Sequence, residues 1–185
     1  DPLWSRGLGD VYKRQSLYSL LLSGYYLMLR GYSNQEDLIV GIPVANRHYS
    51  QIEHLVGFFV NSLALRIKID GRASIKEFIQ VVGNEVIEAQ LQQDLPFEKL
   101  VEELKIPKDT SRHPIFQVMF DVQSFGSGLE SKLLEEYPVN LHNAAKFDVS
   151  TFIDDSQDCL RGSFNYAISL YDEETIKGFI KTCLL

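Results

Sequence analysis

FVNSLALRIKI, residues 59–69, decides how this chain is read. Phe59, Leu63, Leu65, Ile67 and Ile69 alternate with Val60, Ser62, Ala64, Arg66 and Lys68, the period of two by which a strand buries one face and wets the other. Asn61 falls on the apolar side of that alternation. A buried amide must find hydrogen-bond partners, so Asn61 is either a structural amide pinning a neighbouring loop or an amide aimed into a substrate channel. The alternation alone leaves both open.

Towards the C-terminus, Asp70-Gly71 turns the chain. Ser74 followed by Glu77 is a capping box, and Ile75, Phe78, Ile79, Val82, Val86 and Ile87 then recur at helical spacing to about Gln92. Asp94 and Pro96 mark a second helix start, FEKLVEEL, which stops before Pro107. Residues 115–123, IFQVMFDVQ, read as a strand with Phe116, Val118, Phe120 and Val122 on one face, followed by the low-order stretch SFGSGLES. Phe147–Ile153 and Leu160–Tyr171 form an expected hairpin. Asp172 caps a last helix with Ile176, Phe179, Ile180, Cys183 and Leu184 on one side, and the chain stopping inside that helix suggests truncation.

Towards the N-terminus, a loop runs back from His54 to Pro43, which closes the β-branched strand DLIVGI, residues 37–42. Before it, SLYSLLLSGYYLMLR from Ser16 is apolar nearly all round, as a buried helix is. Residues 1–15 show no period and look like a translated adapter, so the domain is placed at 16–185, cut at both ends. The fold class expected is α/β (mixed α+β), a mixed sheet with packed helices.

Composition excludes several roles. Net charge −7 across 185 residues, with a pI near 5.1, argues against nucleic acid, which needs a concentrated basic face. The Leu17–Leu29 run is broken by Ser19, Ser23 and Gly24 and is too short to cross a bilayer. No secretory signal pattern precedes it, which makes the cytoplasm the default. Two cysteines, Cys159 and Cys183, suggest no disulfide framework and are read as reduced, buried thiols.

Chemistry is sparse at this level. His48, His54, His113 and His142 lack metal-ligand spacing, so no metal is expected. There is no G-x-S-x-G elbow, and Gly126-Ser127-Gly128 lacks the context of a phosphate loop. Arg47, ending a loop after a buried strand, either faces a ligand crevice or holds that loop through a salt bridge. Arg112 is read as structural, with Asp109 or Glu103 as partner.

Four segments in order carry a resemblance: VGIPVANR (40–47), LVGFFVNSLALR (55–66), QQDLPFEKLVEEL (92–104) and DTSRHPIFQVMFDVQ (109–123). They resemble the later motifs of condensation domains from non-ribosomal peptide synthetases, and AKFDVSTFI (145–153) and FNYAISLYDEETI (164–176) look like that family's closing strands and helix. The resemblance implies the C-terminal lobe of a two-lobed, chloramphenicol-acetyltransferase-like fold with a tunnel between the lobes. It further implies an amide-forming reaction between acyl or peptidyl and aminoacyl thioesters on carrier-protein phosphopantetheine arms, with no cofactor bound directly. The implied partners are the N-terminal lobe, carrier proteins and an adjacent adenylation domain.

The family's H-H-x-x-x-D-G signature is not in this sequence, which holds no adjacent pair of histidines. No catalytic residue is therefore expected here, and the chain alone should be inactive although its parent is an enzyme. By the resemblance, Asn61 and Arg47 are tunnel-facing or active-site supporting groups. Asp94, Pro96, Phe97 and Glu98, with Ser111, Arg112 and Pro114, match motif positions expected to be structural. Two other functions remain open: a non-catalytic docking module for carrier proteins, and a related epimerisation or heterocyclisation domain.

Overall fold

The computed structural model describes residues 3–47, 51–52, 54–107, 109, 111–123, 145–155 and 159–183, with the backbone alone over residues 3–16. Its elements are α1 (Leu3–Ser33), β1 (Asp37–Val44), β2 (Asn61–Lys68), α2 (Ile75–Leu91), α3 (Phe97–Glu103), β3 (Val118–Gln123), β4 (Val149–Asp154), β5 (Arg161–Tyr166) and α4 (Glu173–Cys183). The strands form one sheet in the order β2-β1-β3-β4-β5. β1, β3 and β4 run parallel, while β2 and β5 pair antiparallel on the outside. The carboxyl ends of the three parallel strands therefore share one rim with the first residues of β2 and β5.

Alternation divides the sheet into two faces. Leu38, Val40 and Ile42 stand opposite Ile67, Leu65 and Leu63, and all six are buried. With Phe120 and Val149 they meet Leu22, Tyr25, Tyr26 and Met28 of α1, Phe78, Val82 and Val86 of α2, and Ile176 and Phe179 of α4. The Tyr26 hydroxyl donates to the Leu65 carbonyl at 2.7 Å, which satisfies a phenol sunk in this core. Ser23 donates back to the Ser19 carbonyl at 2.6 Å, so the serines that interrupt the apolar helix cost little.

α2 starts where its sequence says it should. Ser74 Oγ accepts from the Glu77 N–H and a Glu77 carboxylate oxygen accepts from the Ser74 N–H at 2.8 Å, completing the capping box. Its buried row is narrower than the sequence reading: Phe78, Val82 and Val86 are covered, while Ile75 and Ile87 are exposed. One row of side chains, four residues apart, suffices to meet α1 and β2. Ser74→Ala is expected to cost about 1 kcal/mol, read as a lowered urea midpoint with an unchanged m-value.

Several readings are revised. α1 begins at Leu3 rather than Ser16, so its backbone is helical through residues in which no period is visible. β1 continues through Pro43 to Val44; proline has no N–H to give, and here it lies beyond the Gly41↔Met119 contact with β3. Phe116 precedes β3 and leaves the face of Phe120. Cys159 and Cys183 are both exposed, against the expectation of buried thiols. The first lies ahead of β5 and the second in the last turn of α4, where packing is one-sided, although the Cys183 sulfur touches that of Met28 at 3.3 Å.

Candidate functional site

Asn61, the first residue of β2, uses both ends of its amide. Nδ2 donates to the carbonyls of Gln93 and Leu95 at 2.9 and 2.8 Å, and Oδ1 accepts from the N–H of Phe97 at 3.1 Å and of Ser62 at 2.9 Å. The Phe97 bond matters because α3 begins there and its N-cap residue, Pro96, offers no side-chain acceptor. A helix start leaves N–H groups without partners, and one of them is capped here by a side chain from a strand more than thirty positions earlier in the sequence. The amide therefore locks the 93–97 segment onto the rim.

Arg47 performs the same task for the loop between β1 and β2. One guanidinium nitrogen donates to the carbonyls of Ile52 and Leu55 at 2.9 and 2.6 Å, and the other to that of Gly57 at 3.1 Å. Its carbon lies 4.4 Å from the centre of the Phe59 ring, a cation–π contact. Asn46, with φ 51°, occupies the left-handed region that asparagine tolerates and turns the chain into position. Both sequence-predicted support residues thus sit at the carboxyl-end rim, and each organises a loop through backbone groups. In open sheets this rim is where ligands collect.

The second face of the sheet carries an aromatic cluster. Phe97 stacks on His113 at 4.9 Å and meets Phe116 edge-on at 5.5 Å; His113 lies 4.3 Å from Phe116 and 4.9 Å from Phe147. Phe116 is fully buried and covers Gly41, where an added Cβ would fall 2.0 Å from its ring. The cluster joins α3, the segment before β3 and the segment before β4. Burial among these rings pushes the His113 pKa down, opposed by the backbone of Phe116.

The sign of its contribution follows. The unfolded chain binds the proton more readily than the folded one below the ordinary histidine value of about 6.5, so stability is full above that pH and falls as pH drops. Asp121, raised by burial, works the other way. The discriminating comparison is therefore wild type against His113→Phe. The urea midpoint of the wild type should fall more between pH 7.5 and 5.5 than that of the variant.

The remaining motif residues have plain surroundings. Asp94 and Glu98 are exposed beside the start of α3. The Asp109 carboxylate accepts from the N–H and hydroxyl of Ser111 at 2.8 and 2.6 Å, which with the Arg112 charge holds its pKa down. Ser111, rather than Arg112, is thus its hydrogen-bond partner, and Pro114 carries the chain between His113 and Phe116. His48, His142 and Gly126-Ser127-Gly128 lie outside the described residues. Among those described, no cluster of His, Cys, Asp or Glu suits a metal ion, and no helix is long and apolar enough to cross a membrane.

A cleft of about 370 Å³ opens farther along the same rim, lined by Gln123, Phe152, Asp154, Arg161 and Ser163 among others. It contains none of the residues singled out from sequence. The sequence reading also missed the Gly41–Phe116 contact, whose only trace is a lone glycine inside an otherwise β-branched run.

Comparison with known proteins places this architecture. The condensation domain family matches residues 12–184. The chain is 41% identical over 169 residues to N-(5-amino-5-carboxypentanoyl)-L-cysteinyl-D-valine synthase of Amycolatopsis lactamdurans, covering 91% of this chain and 5% of that protein. It is 37% identical over 168 residues to bacitracin synthase 1 of Bacillus licheniformis, covering 88% and 3%. Among solved structures, a four-domain nonribosomal peptide synthetase bound to AMP and glycine superposes with a TM-score of 0.79 at 22% identity, over 89% of this chain and 14% of that one. The condensation domain of Monacolin K polyketide synthase gives 0.76 at 18% identity, over 99% and 43%. The sheet and its helices are thus those of solved condensation domains, and the chain belongs to the condensation domain family.

Proposed function

We propose that this chain is the C-terminal portion of a condensation domain that joins a carrier-bound acyl or peptidyl thioester to the amine of a carrier-bound aminoacyl thioester. Its role is to supply one wall of the reaction tunnel. The observation that carries this reading is the convergence at one rim of two motif residues, Arg47 and Asn61, each holding a loop in place. Amide formation requires the amine to be held close to the thioester in a fixed orientation, and a wall of pinned loops serves that purpose. Asn61 and Arg47 act as positioning residues.

The reacting groups would arrive on phosphopantetheine arms, which require carrier proteins and a neighbouring adenylation domain as partners. General acid–base chemistry would come from a histidine motif outside this sequence. The chain spans only 3–5% of the relatives named above. The test is an amide-forming assay with two loaded carrier proteins, the product read by mass spectrometry. The 185-residue chain alone should yield none, and the intact domain containing it should yield amide. No amide from an intact domain whose histidine motif is complete would overturn the reading.

A second reading is a non-catalytic docking module. It draws support from one fold neighbour, the X-domain of teicoplanin biosynthesis, which is solved in complex with OxyB. A degenerate histidine motif in the parent gene would favour it.

A further inference from the structure

The cleft at the β4 and β5 end of the rim carries an ordered pattern of charge. Cα partners on neighbouring strands share a face, so two rows cross it: Asp121, Phe152 and Ser163 in one, and Gln123, Asp154 and Arg161 in the next, one step nearer the rim. Phe120, Val149 and Phe164 pack with the helices, so both rows stand on the opposite face, the one that carries the aromatic cluster. Two charges there lack a counter-charge. Asp121 is half-buried, and the Gln123 amide donates to its carboxylate at 2.6 Å, but among the described residues no cation pairs with it. Arg161 is exposed on the outer strand, and its guanidinium forms no ion pair with a described residue. A carboxylate taken half out of water without a counter-charge is costly. Between the two charges lie the Phe152 ring and the Ser163 hydroxyl, in a cleft of about 370 Å³. Strand spacing sets the two Cα atoms roughly 12 Å apart, a span that one small doubly charged group fills when both side chains lean toward it.

A ligand with a single charge fits this pattern poorly. A lone carboxylate drawn to Arg161 meets Asp154 and Asp121, and a lone ammonium drawn to Asp121 meets Arg161. A group that carries both charges satisfies both side chains, with its ammonium at the Asp121 carboxylate and its carboxylate forked against the guanidinium. We therefore infer that this cleft receives a substrate terminus bearing a free ammonium and a free carboxylate, the zwitterionic head of an amino acid, with Asp121 and Arg161 as its specificity-determining residues. The inference rests on the function proposed above and narrows its substrate class. Such a head is carried either by the acyl donor, attached through its distal carboxyl, or by the side chain of the aminoacyl acceptor.

The test measures kcat/KM for amide formation by the intact domain, with carrier-loaded thioesters in two series. In the donor series, straight acyl chains of equal length end in an amino acid head, a carboxylate, an ammonium or a methyl group. In the acceptor series, the same four ends terminate the side chain of the aminoacyl group. The expected result is a preference for the amino acid head over the methyl end of about tenfold or more in one series, since a site built for polar groups rejects an analogue that leaves them unpaired. The series that shows it identifies the source. Asp121→Asn should cut the preference for ends that carry an ammonium, and Arg161→Gln the preference for ends that carry a carboxylate, each by about tenfold. Lys76→Gln, on the exposed side of α2, should keep both preferences. Each preference is a ratio within one preparation, so any loss of folded protein cancels. Equal kcat/KM for all four ends in both series would overturn the inference and leave the function standing, as would a preference that neither Asp121→Asn nor Arg161→Gln moves. No amide from any substrate, with the histidine motif complete, would overturn the function and the inference with it.

Discussion

Replacing Asn61 with alanine is expected to lower the stability of the chain by about 2–3 kcal/mol, a fall in melting temperature of roughly 5–10 °C for a protein of this size. Four hydrogen bonds are lost together, and three of them tie the 93–97 segment to β2. The Phe97 N–H loses its cap at a helix start whose local residue provides none. Asn61→Asp should be worse than alanine. It keeps the acceptor for Phe97 but sets a carboxylate oxygen against two carbonyl oxygens that now accept from Nδ2. A variant order of wild type, then alanine, then aspartate in thermal stability checks the arrangement of the amide; an aspartate variant as stable as wild type would contradict it.

Gly41→Ala should have a comparable effect from the opposite cause. The new methyl would overlap the Phe116 ring, which is fully buried and hemmed in by Phe97, His113 and Phe147. Overpacking of this kind costs about 1–3 kcal/mol, and with the ring unable to withdraw the upper end is expected. Phe116→Leu alone should also destabilise, by opening space in the cluster. The two changes together should cost less than their sum, because the smaller side chain leaves room for the methyl. A double-mutant cycle with a coupling of about 1 kcal/mol or more in that direction is the expected outcome, and strict additivity would mean that the glycine and the ring do not meet.

Much of the fold is visible in the sequence because its signals are local. The alternation around Leu63, Leu65 and Ile67, the capping box at Ser74 and Glu77 and the Asp172 cap, which accepts from Thr175 at 2.7 Å, each declare themselves within a few residues. What stayed hidden is long-range. Nothing near Pro96 announces that its helix is capped from β2, and nothing near Phe116 announces that its ring crosses to the face of Gly41. The two possibilities left open for Asn61 differ only in what lies opposite its amide, which is a property of the folded chain. For Arg47 the sequence suggested a crevice or a salt bridge, and the structure adds three backbone carbonyls and an aromatic ring as partners. Burial of Ile75 and Ile87 was overestimated because helical period reports an apolar side, whereas tertiary contact decides how much of that side is used.

The most direct test of the account is residue-resolved hydrogen exchange of the Phe97 amide in the wild-type chain and in Asn61→Ala. If the amide of Asn61 holds this loop, Phe97 should be protected in the wild type and should exchange at least about tenfold faster in the variant, while amides in the middle of β1 keep their protection. Unchanged exchange at Phe97 would show that the 93–97 segment stands without Asn61, and the positioning role assigned to that residue would fall.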